Sequence, residues 1–332
     1  MSTPENCVRF AGRPALLSSA AMSGPPLRVR GLRKAYADVV AVDGLDLEIS
    51  PGECFGLLGP NGAGKTTTIE ICEGLLQADA GEVSVLGKSW DSDERELRER
   101  LGIQLQDTQL SEKLTVNETL RLFRSFYRNG ADVDRIISRV QLDEKRNARV
   151  GKLSGGQKQR LALACSIVGD PDLLFLDEPT TGLDPQSRRQ LWDLIEEFKS
   201  SGRTTVLTTH YMDEAEILCD RVAIVDHGKV IALGSPRQLI ESLGAEHVVE
   251  FGLAGGQANG LTIEALQALP GVRGARTIDE GYELSVGELH RAVPALLSVL
   301  AERKLELSKL TTHSATLEDV FVHLTGRQLR EA

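Results

Sequence analysis

The chain has 332 residues, of which 41% are hydrophobic and 26% are charged, and its formal net charge is −10 at pH 7. This length predicts two domains, since a domain usually contains about 100 to 200 residues, and the composition is ordinary for a soluble globular protein. No stretch approaches the roughly 20 apolar residues of a membrane span, and the acidic balance argues against a protein that binds nucleic acid through a broad basic surface.

Cysteine usage and the first residues bear on the compartment. The five cysteines are scattered and form no Cys-x-x-Cys pair, which argues against a disulfide framework or a zinc site and favours reduced thiols in the cytosol. The apolar run at 15–21 superficially resembles a signal peptide, but it is short and rich in serine. We expect residues 1–26 to form a disordered extension, with Met22 as an alternative start of translation.

Residues 27–50 alternate apolar and polar side chains, as half-buried antiparallel strands do. Turn-forming pairs at Ala37-Asp38 and Asp43-Gly44 punctuate them. Tyr36 lies in this layer, where its ring could stack on a purine base or could be an ordinary surface aromatic. The sequence therefore predicts a small antiparallel β-layer ahead of the next strand.

A phosphate-binding motif, Gly-x-x-x-x-Gly-Lys-Thr, follows the apolar strand predicted at 54–58 and opens a helix predicted to run to Leu75. Glycines let backbone N–H groups turn towards phosphate oxygens, and the helix start adds free donors and a positive dipole. A chance glycine-rich turn explains the motif less well, because glycine, Gly-Lys and threonine all occur at the required positions after a strand. A dinucleotide-binding fold also explains it less well, since that fingerprint has no Lys-Thr at the start of the helix. The predicted nucleotide-binding residues are Gly59, Pro60, Asn61, Gly62, Ala63, Gly64, Lys65, Thr66 and Thr67.

The motif assigns chemistry to two of these side chains. The Lys65 ammonium would reach the outer phosphates of a nucleotide, and the Thr66 hydroxyl would be a ligand of Mg²⁺.

Two further strands are predicted at 81–87 and 101–105, the second ending at Gln106. Beyond it, apolar residues recur at helical spacing from Thr115 to Val140. We expect a helical insertion of about forty residues between Gln106 and Lys152, which could serve as a docking surface.

A second predicted anion-binding helix start follows the insertion, at Leu153-Ser-Gly-Gly-Gln. Serine is a preferred helix cap, and the two glycines beside it expose backbone donors. The residues of this predicted site are Ser154, Gly155, Gly156 and Gln157.

The apolar strand at 172–176 ends in two acidic residues, Asp177 and Glu178. Consecutive carboxylates after a buried strand are costly to desolvate, so a metal ion and a reacting water explain them better than packing does. Asp177 would hold Mg²⁺, and Glu178 would orient and deprotonate the attacking water.

His210 ends the strand predicted at 204–209. In a parallel sheet it would share the carboxyl edge with Asp177, where ligands bind, and this favours a contact to the γ-phosphate. A strand at 221–225 and a hairpin through Gly228-Lys229 would complete the first domain near residue 243.

Together these motifs resemble the ATP-binding cassette of ABC transporters over residues 27–243. The resemblance implies an α/β fold, with a phosphate-loop NTPase core, an antiparallel β-layer and a helical subdomain at about 107–152. It implies catalytic roles for Lys65, Gln106, Glu178 and His210. It also implies that Thr66, Gln106 and Asp177 form a metal site. Tyr36 would stack on adenine, and Asp184 would contact an opposite subunit.

The same resemblance implies the cofactors ATP and Mg²⁺ and a position at the cytoplasmic face of the cell membrane. The expected partners are a second copy in a head-to-tail dimer, or a paralogous ATPase, and integral membrane permease subunits. Nucleic acid is not expected among them.

Residues 244–332 are predicted to form a small α+β accessory domain. It would contain a Gly-rich break at 252–260, a strand at 283–286 and a helix whose apolar face includes Leu296 and Leu300. The tail at 316–326 resembles the C-terminal extension of exporter ATPases of the daunorubicin-resistance type, although an ordinary packing helix is the alternative.

The leading functional hypothesis is an ATPase subunit that powers export of a drug-like or other small molecule through separate membrane subunits. An ABC importer ATPase is the nearer alternative. A soluble ABC protein that remodels ribosomes or DNA is the more distant one, because such proteins usually carry two cassettes or a long coiled coil.

Overall fold

The computed structural model describes residues 24–106, 108–254, 261–278 and 281–326. Most of the extension predicted at 1–26 lies outside these ranges. The chain forms two compact units, with the division between Ala232 and Leu233.

The described residues of the first unit form nine strands and seven α-helices. The strands are β1 (Leu27–Tyr36), β2 (Val39–Ile49), β3 (Cys54–Leu58), β4 (Ala80–Val85), β5 (Leu101–Gln104), β6 (Leu173–Asp177), β7 (Thr204–Thr209), β8 (Arg221–Asp226) and β9 (Lys229–Gly234), the last crossing the division. The helices are α1 (Lys65–Cys72), α2 (Trp90–Arg100), α3 (Val116–Arg124), α4 (Val133–Arg139), α5 (Gly155–Ile167), α6 (Pro185–Ser200) and α7 (Met212–Leu218).

The predicted antiparallel β-layer is confirmed as a three-stranded sheet in the order β2-β1-β4. The turn at Ala37-Asp38 joins β1 and β2 as expected, but the turn predicted at Asp43-Gly44 is wrong. Gly44 instead lies inside β2, where its φ of +72° coincides with a shift in the pairing of β2 with β1. The shift is a β-bulge, which takes up an extra residue without ending the strand.

A six-stranded sheet in the order β5-β6-β7-β3-β8-β9 forms the centre of the first unit. The pairs β5–β6, β6–β7, β7–β3 and β3–β8 are parallel. Every residue of β3, β6 and β7 is buried, as expected for parallel strands covered on both faces. Because these strands are neighbours, the segments that follow their carboxyl ends meet at one edge of the sheet.

Helix α1 ends earlier than predicted, at Cys72 rather than at Leu75. Gly74 adopts a left-handed conformation, with φ +72°, and the N–H groups of Gly74 and Leu75 bond back to the carbonyl groups of Ile71 and Glu70. This pairing is a Schellman motif, which closes a helix with a glycine just beyond its end.

The predicted helical insertion is confirmed by α3 and α4, which pack against each other and against α5. Polar caps start these helices: Thr115 forms a capping box with Glu118, and the Asp132 carboxylate accepts from the Arg135 N–H. Apolar side chains on the inner face, including Leu120 and Ile137, are fully buried.

The second unit contains a four-stranded antiparallel sheet in the order β11-β12-β10-β13. Phe251 of β10 stacks on Tyr282 of β12 in its core, with ring centroids 5.3 Å apart. Its elements are α8 (Pro236–Ser242), β10 (His247–Leu253), α9 (Ile263–Gln267), β11 (Val272–Ile278), β12 (Gly281–Val286), α10 (Leu289–Glu302), β13 (Leu307–Ser314) and α11 (Leu317–Thr325).

The predicted α+β composition of this region is confirmed, as are the strand at 283–286 and the helix containing Leu296. The start predicted for the Gly-rich break, at 252, is wrong because Gly252 lies inside β10, and residues 255–260 are outside the described ranges. The contacts group α8 with this unit, whereas the sequence prediction ended the first domain at 243. Among the described residues, no helix combines the length and apolar character needed to cross a bilayer.

Candidate functional site: a nucleotide site at the sheet edge

The phosphate-loop motif connects β3 to α1, as its sequence predicted. Gly59 and Gly64 both have positive φ angles, of +155° and +98°. A side chain at Gly59 would collide with the carbonyl oxygen of Val225, and one at Gly64 with that of Ala41. Only glycine allows the loop to lie this close to its neighbours, so the positions of its backbone donors are fixed before any ligand binds.

Lys65, the first residue of α1, points back into this loop. Its ammonium donates to the carbonyl oxygens of Gly59, at 2.7 Å, and Pro60, at 2.9 Å. Burial lowers the pKa of Lys65, while the nearby carboxylates of Glu178 and Asp177 oppose that shift. The Lys65 ammonium is therefore buried inside the phosphate loop, where it can pair with an anionic ligand.

Asp177 lies at the end of β6, beside the start of α1. Its Oδ1 accepts from the Thr66 hydroxyl at 3.5 Å and from the Thr208 hydroxyl of β7. Burial raises the pKa of Asp177, whereas the hydrogen bond from Thr208 lowers it. Asp177 is only 4% exposed, so its carboxylate lies buried at the sheet edge next to the phosphate loop.

Glu178 directly follows β6 and has a left-handed backbone, with φ +46°. Its Oε2 accepts from the Gln106 amide at 3.4 Å and from the Thr181 hydroxyl at 3.1 Å, and it lies 3.2 Å from His210 Nδ1. This conformation is uncommon for a residue with a side chain. Residues from the ends of β5, β6 and β7 thus meet at one oxygen.

The second predicted anion site is a capped helix start. The Ser154 hydroxyl accepts from the Gln157 N–H at 3.3 Å, and the Gln157 side chain accepts from the Ser154 N–H at 3.0 Å. Gly155 is exposed and has open space where a side chain would be, whereas a side chain at Gly156 would collide with Ser187. The N-terminus of α5 is therefore preorganised and accessible.

Asp184 caps α6 next to this helix start. Its carboxylate accepts from the N–H groups of Gln186, at 3.1 Å, and Ser187, at 3.0 Å, and from the Ser187 hydroxyl at 2.7 Å. These bonds, first among them the one from the Ser187 hydroxyl, lower the pKa of Asp184. A contact between Asp184 and another subunit remains a prediction.

Tyr36 is the last residue of β1, and 46% of its surface is exposed. The Lys34 ammonium lies 5.8 Å from the centre of its ring. The layer that carries Tyr36 is next to the phosphate loop, because Gly64 approaches Ala41 of β2. The exposed ring is accessible to a nucleotide base. Stacking of Tyr36 on adenine also remains a prediction.

Two groups were missed from the sequence: the hydroxyls of Thr208 and Thr181, which bond to the two carboxylate residues. Threonine is common in strands and turns, so neither residue stood out by type. Position in the sequence could have identified Thr208, since it lies two residues before the predicted site residue His210.

Comparison with known proteins identifies the family. A model of the ABC transporter family matches residues 42–181. The Nod factor export ATP-binding protein I of Burkholderia orbicola is 39% identical over 315 residues, which are 93% of this chain and 100% of that protein. The protein of the same name from Ralstonia nicotianae is 38% identical over 316 residues, which are 93% of this chain and 96% of that protein. The chain belongs to the ATP-binding subunits of ABC exporters.

Solved structures of ABC ATP-binding subunits share the fold. An ATP-binding subunit of an ABC transporter has a TM-score of 0.60 and 28% identity, covering 66% of this chain and 93% of that one. Subunit cbiO1 from Clostridium perfringens has a TM-score of 0.59 and 30% identity, covering 66% of this chain and 91% of that one.

Family membership confirms the α/β cassette fold that the sequence predicted. The ABC ATP-binding subunit described here binds ATP and couples its hydrolysis to transport, which confirms the predicted enzyme class.

Proposed function

We propose that Glu178 orients and deprotonates the water that attacks ATP, and that Gln106 and His210 hold the surroundings of that water. One observation carries the proposal: the Gln106 amide and His210 Nδ1 both lie within 3.4 Å of Glu178 Oε2. A general base of this kind contributes about 10² to 10⁴ in rate. Lys65 and the loop amides bind the phosphates, and His210 contacts the γ-phosphate.

The residues beside the phosphate loop fit Mg²⁺. The Thr66 hydroxyl and the Asp177 carboxylate are oxygen donors whose atoms lie 3.5 Å apart, and Gln106 supplies a third oxygen-bearing side chain. The described residues contain no cluster of three or more side chains of the His, Cys, Asp and Glu types that could hold a metal. Mg²⁺ suits such a site, since it commonly takes one or two carboxylates together with phosphate oxygens and water. Its chemistry would be to neutralise phosphate charge.

The complete site is shared between two chains in a head-to-tail dimer, formed with a second copy or with a paralogous ATPase. The N-terminus of α5 supports this, because Gly155 is exposed and open in the isolated chain, while Lys65 provides a separate phosphate-binding helix start. Two such helix starts that clamp one γ-phosphate would exclude water and complete the electrostatic environment. Asp184, beside the α5 start, would contact the opposite subunit.

The transported cargo is a small molecule, and separate membrane subunits provide its path. The export proteins that resemble this chain along their whole length support that direction of transport and a peripheral position at the cytoplasmic face of the membrane. The sequence resemblance of α11 to exporters of the daunorubicin-resistance type supports a drug-like or other small-molecule cargo.

Exchange of Glu178 for Gln tests the proposed chemistry. Glu178→Gln should keep ATP affinity while turnover falls by about 10² or more, because only the base is lost. Nucleotide binding and phosphate release are measured on the same preparation. Glu94→Gln, on the exposed face of α2, is the matched control and should behave as wild type. Near wild-type turnover of Glu178→Gln would remove the residue from this role.

The cargo direction is tested by purifying the tagged chain from detergent-solubilised membranes of its own cells. An exporter subunit should bring down a membrane protein with several spans and no binding protein for solutes. Recovery of a stoichiometric solute-binding protein would favour the importer alternative.

A further inference from the structure

Thr208 of β7 occupies a central position beside the two acidic residues. Its strand lies between β6 and β3, where Thr208 pairs with Asp177 on one side and with Leu57 on the other. Thr208 has no exposed surface. A hydroxyl in such a place must find partners within the protein.

Both partners of this hydroxyl belong to the acidic pair. Thr208 Oγ1 donates to Asp177 Oδ1, and it accepts from the Glu178 N–H at 3.0 Å. The directions are fixed, because an amide N–H can only donate and an ionised carboxylate can only accept. One hydroxyl therefore links the side chain of Asp177 to the backbone of Glu178.

The Thr208 hydroxyl thus contacts both the Asp177 carboxylate and the left-handed backbone of Glu178. Asp177 Oδ1 also accepts from the Thr66 hydroxyl at 3.5 Å. Glu178 has its left-handed φ of +46° at the amide that Thr208 anchors, and the Thr208 carbonyl oxygen accepts from the same N–H at 3.2 Å. Such a backbone persists only where its surroundings fix it.

We propose that Thr208 is a positioning residue for ATP hydrolysis, whose hydroxyl sets the orientation of the Asp177 carboxylate and of the Glu178 backbone together. This inference rests on the proposed function, which gives these two acidic residues their roles. Thr208 itself touches neither ATP nor the attacking water; it acts through the groups that do.

The same strand offers a matched control. Thr205 is also fully buried, but its hydroxyl has no hydrogen-bond partner among the described residues. Thr205→Val therefore makes the same chemical change in the same strand without breaking a hydrogen bond, and should leave turnover and ATP affinity at the wild-type values.

The decisive comparison is Thr208→Ser with Thr208→Ala, since these two variants differ only by the hydroxyl. We expect Thr208→Ser to keep most of the wild-type kcat and Thr208→Ala to lose about tenfold or more, because hydrogen bonds to charged groups are among the stronger ones. Thr208→Val should match Thr208→Ala. The affinity for ATP without Mg²⁺ should stay within about twofold in all variants, because Thr208 acts through the acidic residues and does not contact the nucleotide itself.

The proposal fails if Thr208→Ala and Thr208→Ser have equal kcat, or if Thr208→Ala loses affinity for ATP without Mg²⁺ in step with kcat, since either result would indicate a packing role. Glu178→Gln is assayed alongside, so that failure of the proposed role of Thr208 can be distinguished from failure of the proposed role of Glu178. An inactive Glu178→Gln with a fully active Thr208→Ala overturns the inference alone, whereas an active Glu178→Gln overturns the proposed function. If Thr208→Val does not fold, the Ser and Ala pair still decides.

Discussion

Single residues at the nucleotide site are held by groups distant in the sequence. Lys65 illustrates this, because its buried ammonium is compensated by the Gly59 and Pro60 carbonyl groups from its own loop and by the charges of Asp177 and Glu178. Removal of the cation would leave these oxygens without their donor in a buried place, which is unfavourable in itself. The lysine thus has a structural role in the free protein as well as its proposed role towards phosphate.

The exposed ring of Tyr36 is expected to contribute to nucleotide affinity. If its ring stacks on the base, Tyr36→Ala should weaken ATP and GTP binding alike by about 1 to 3 kcal/mol, because stacking is largely indifferent to base identity. Tyr36→Trp, the matched control that keeps an aromatic face, should bind both nucleotides nearly as well as wild type. Fluorescence titration with both nucleotides measures the effect. Unchanged affinity in Tyr36→Ala would indicate an ordinary surface aromatic.

Helix α1 is capped at its C-terminus by a residue with an unusual carboxyl group, Glu73. Glu73 has no exposed surface, and neither of its carboxylate oxygens has a hydrogen-bond partner among the described residues. Burial, together with the nearby charges of Asp177 and Glu70, raises the pKa of Glu73 to about 8. The folded protein therefore keeps this carboxyl group protonated at neutral pH.

This raised pKa predicts how stability depends on pH. Below the ordinary carboxyl pKa of 4.5, folded and unfolded chains are both protonated at Glu73 and no penalty exists. As pH rises from there towards about 8, only the unfolded chain releases the proton, so the free energy of unfolding falls, and above that range the loss is complete. Glu73→Gln should remove this loss, which is of the order of a few kcal/mol.

Chemical denaturation of wild type and Glu73→Gln across pH 5 to 9 provides the measurement. We expect Glu73→Gln to gain stability over wild type progressively as pH rises, with the largest difference at the alkaline end. Glu82→Gln, an exposed carboxylate on β4, is the matched control and should follow wild type throughout. Parallel stability curves for Glu73→Gln and wild type would contradict an ionisation confined to the unfolded chain.

The proposed sharing of each site between two chains predicts complementation between two defective chains. Lys65→Ala removes the cation from the phosphate loop, and Gly155→Asp places a negative charge at the exposed start of α5. Because open space surrounds Gly155, the aspartate fits within its own chain and acts on whatever approaches from outside. In a mixed head-to-tail dimer both lesions fall in one site, while the other site has an intact lysine and an intact glycine.

Trapped ATP per verified mixed dimer is the appropriate measurement, since hydrolysis could require both sites. Each variant alone should occlude no ATP, and the mixture should approach one ATP per mixed dimer. Equal unfolding temperatures for Gly155→Asp and wild type provide the control for folding. Mixed dimers that occlude no ATP would show that each chain builds its own site.

The predictions that succeeded from sequence depend on short-range chemistry. The phosphate loop needs glycines where the chain bends against its neighbours, and α5 needs Ser154 and Gln157 three residues apart to cap it. The predictions that failed were also local but ambiguous: a glycine suits a turn and a bulge equally, so Gly44 and Gly252 were placed outside strands that in fact contain them.

Membership of the ABC ATP-binding subunits could be predicted from the sequence alone, because the binding loops and helix starts are built from consecutive residues whose types fix the backbone. The order of β6, β7 and β3 in the sheet could not be read from the sequence, since strand order in a parallel sheet depends on contacts between distant segments. The hydrogen bond between Thr208 and Asp177 joins residues 31 positions apart. The left-handed backbone of Glu178 and the burial of Glu73 were likewise decided by packing, which no local pattern encodes.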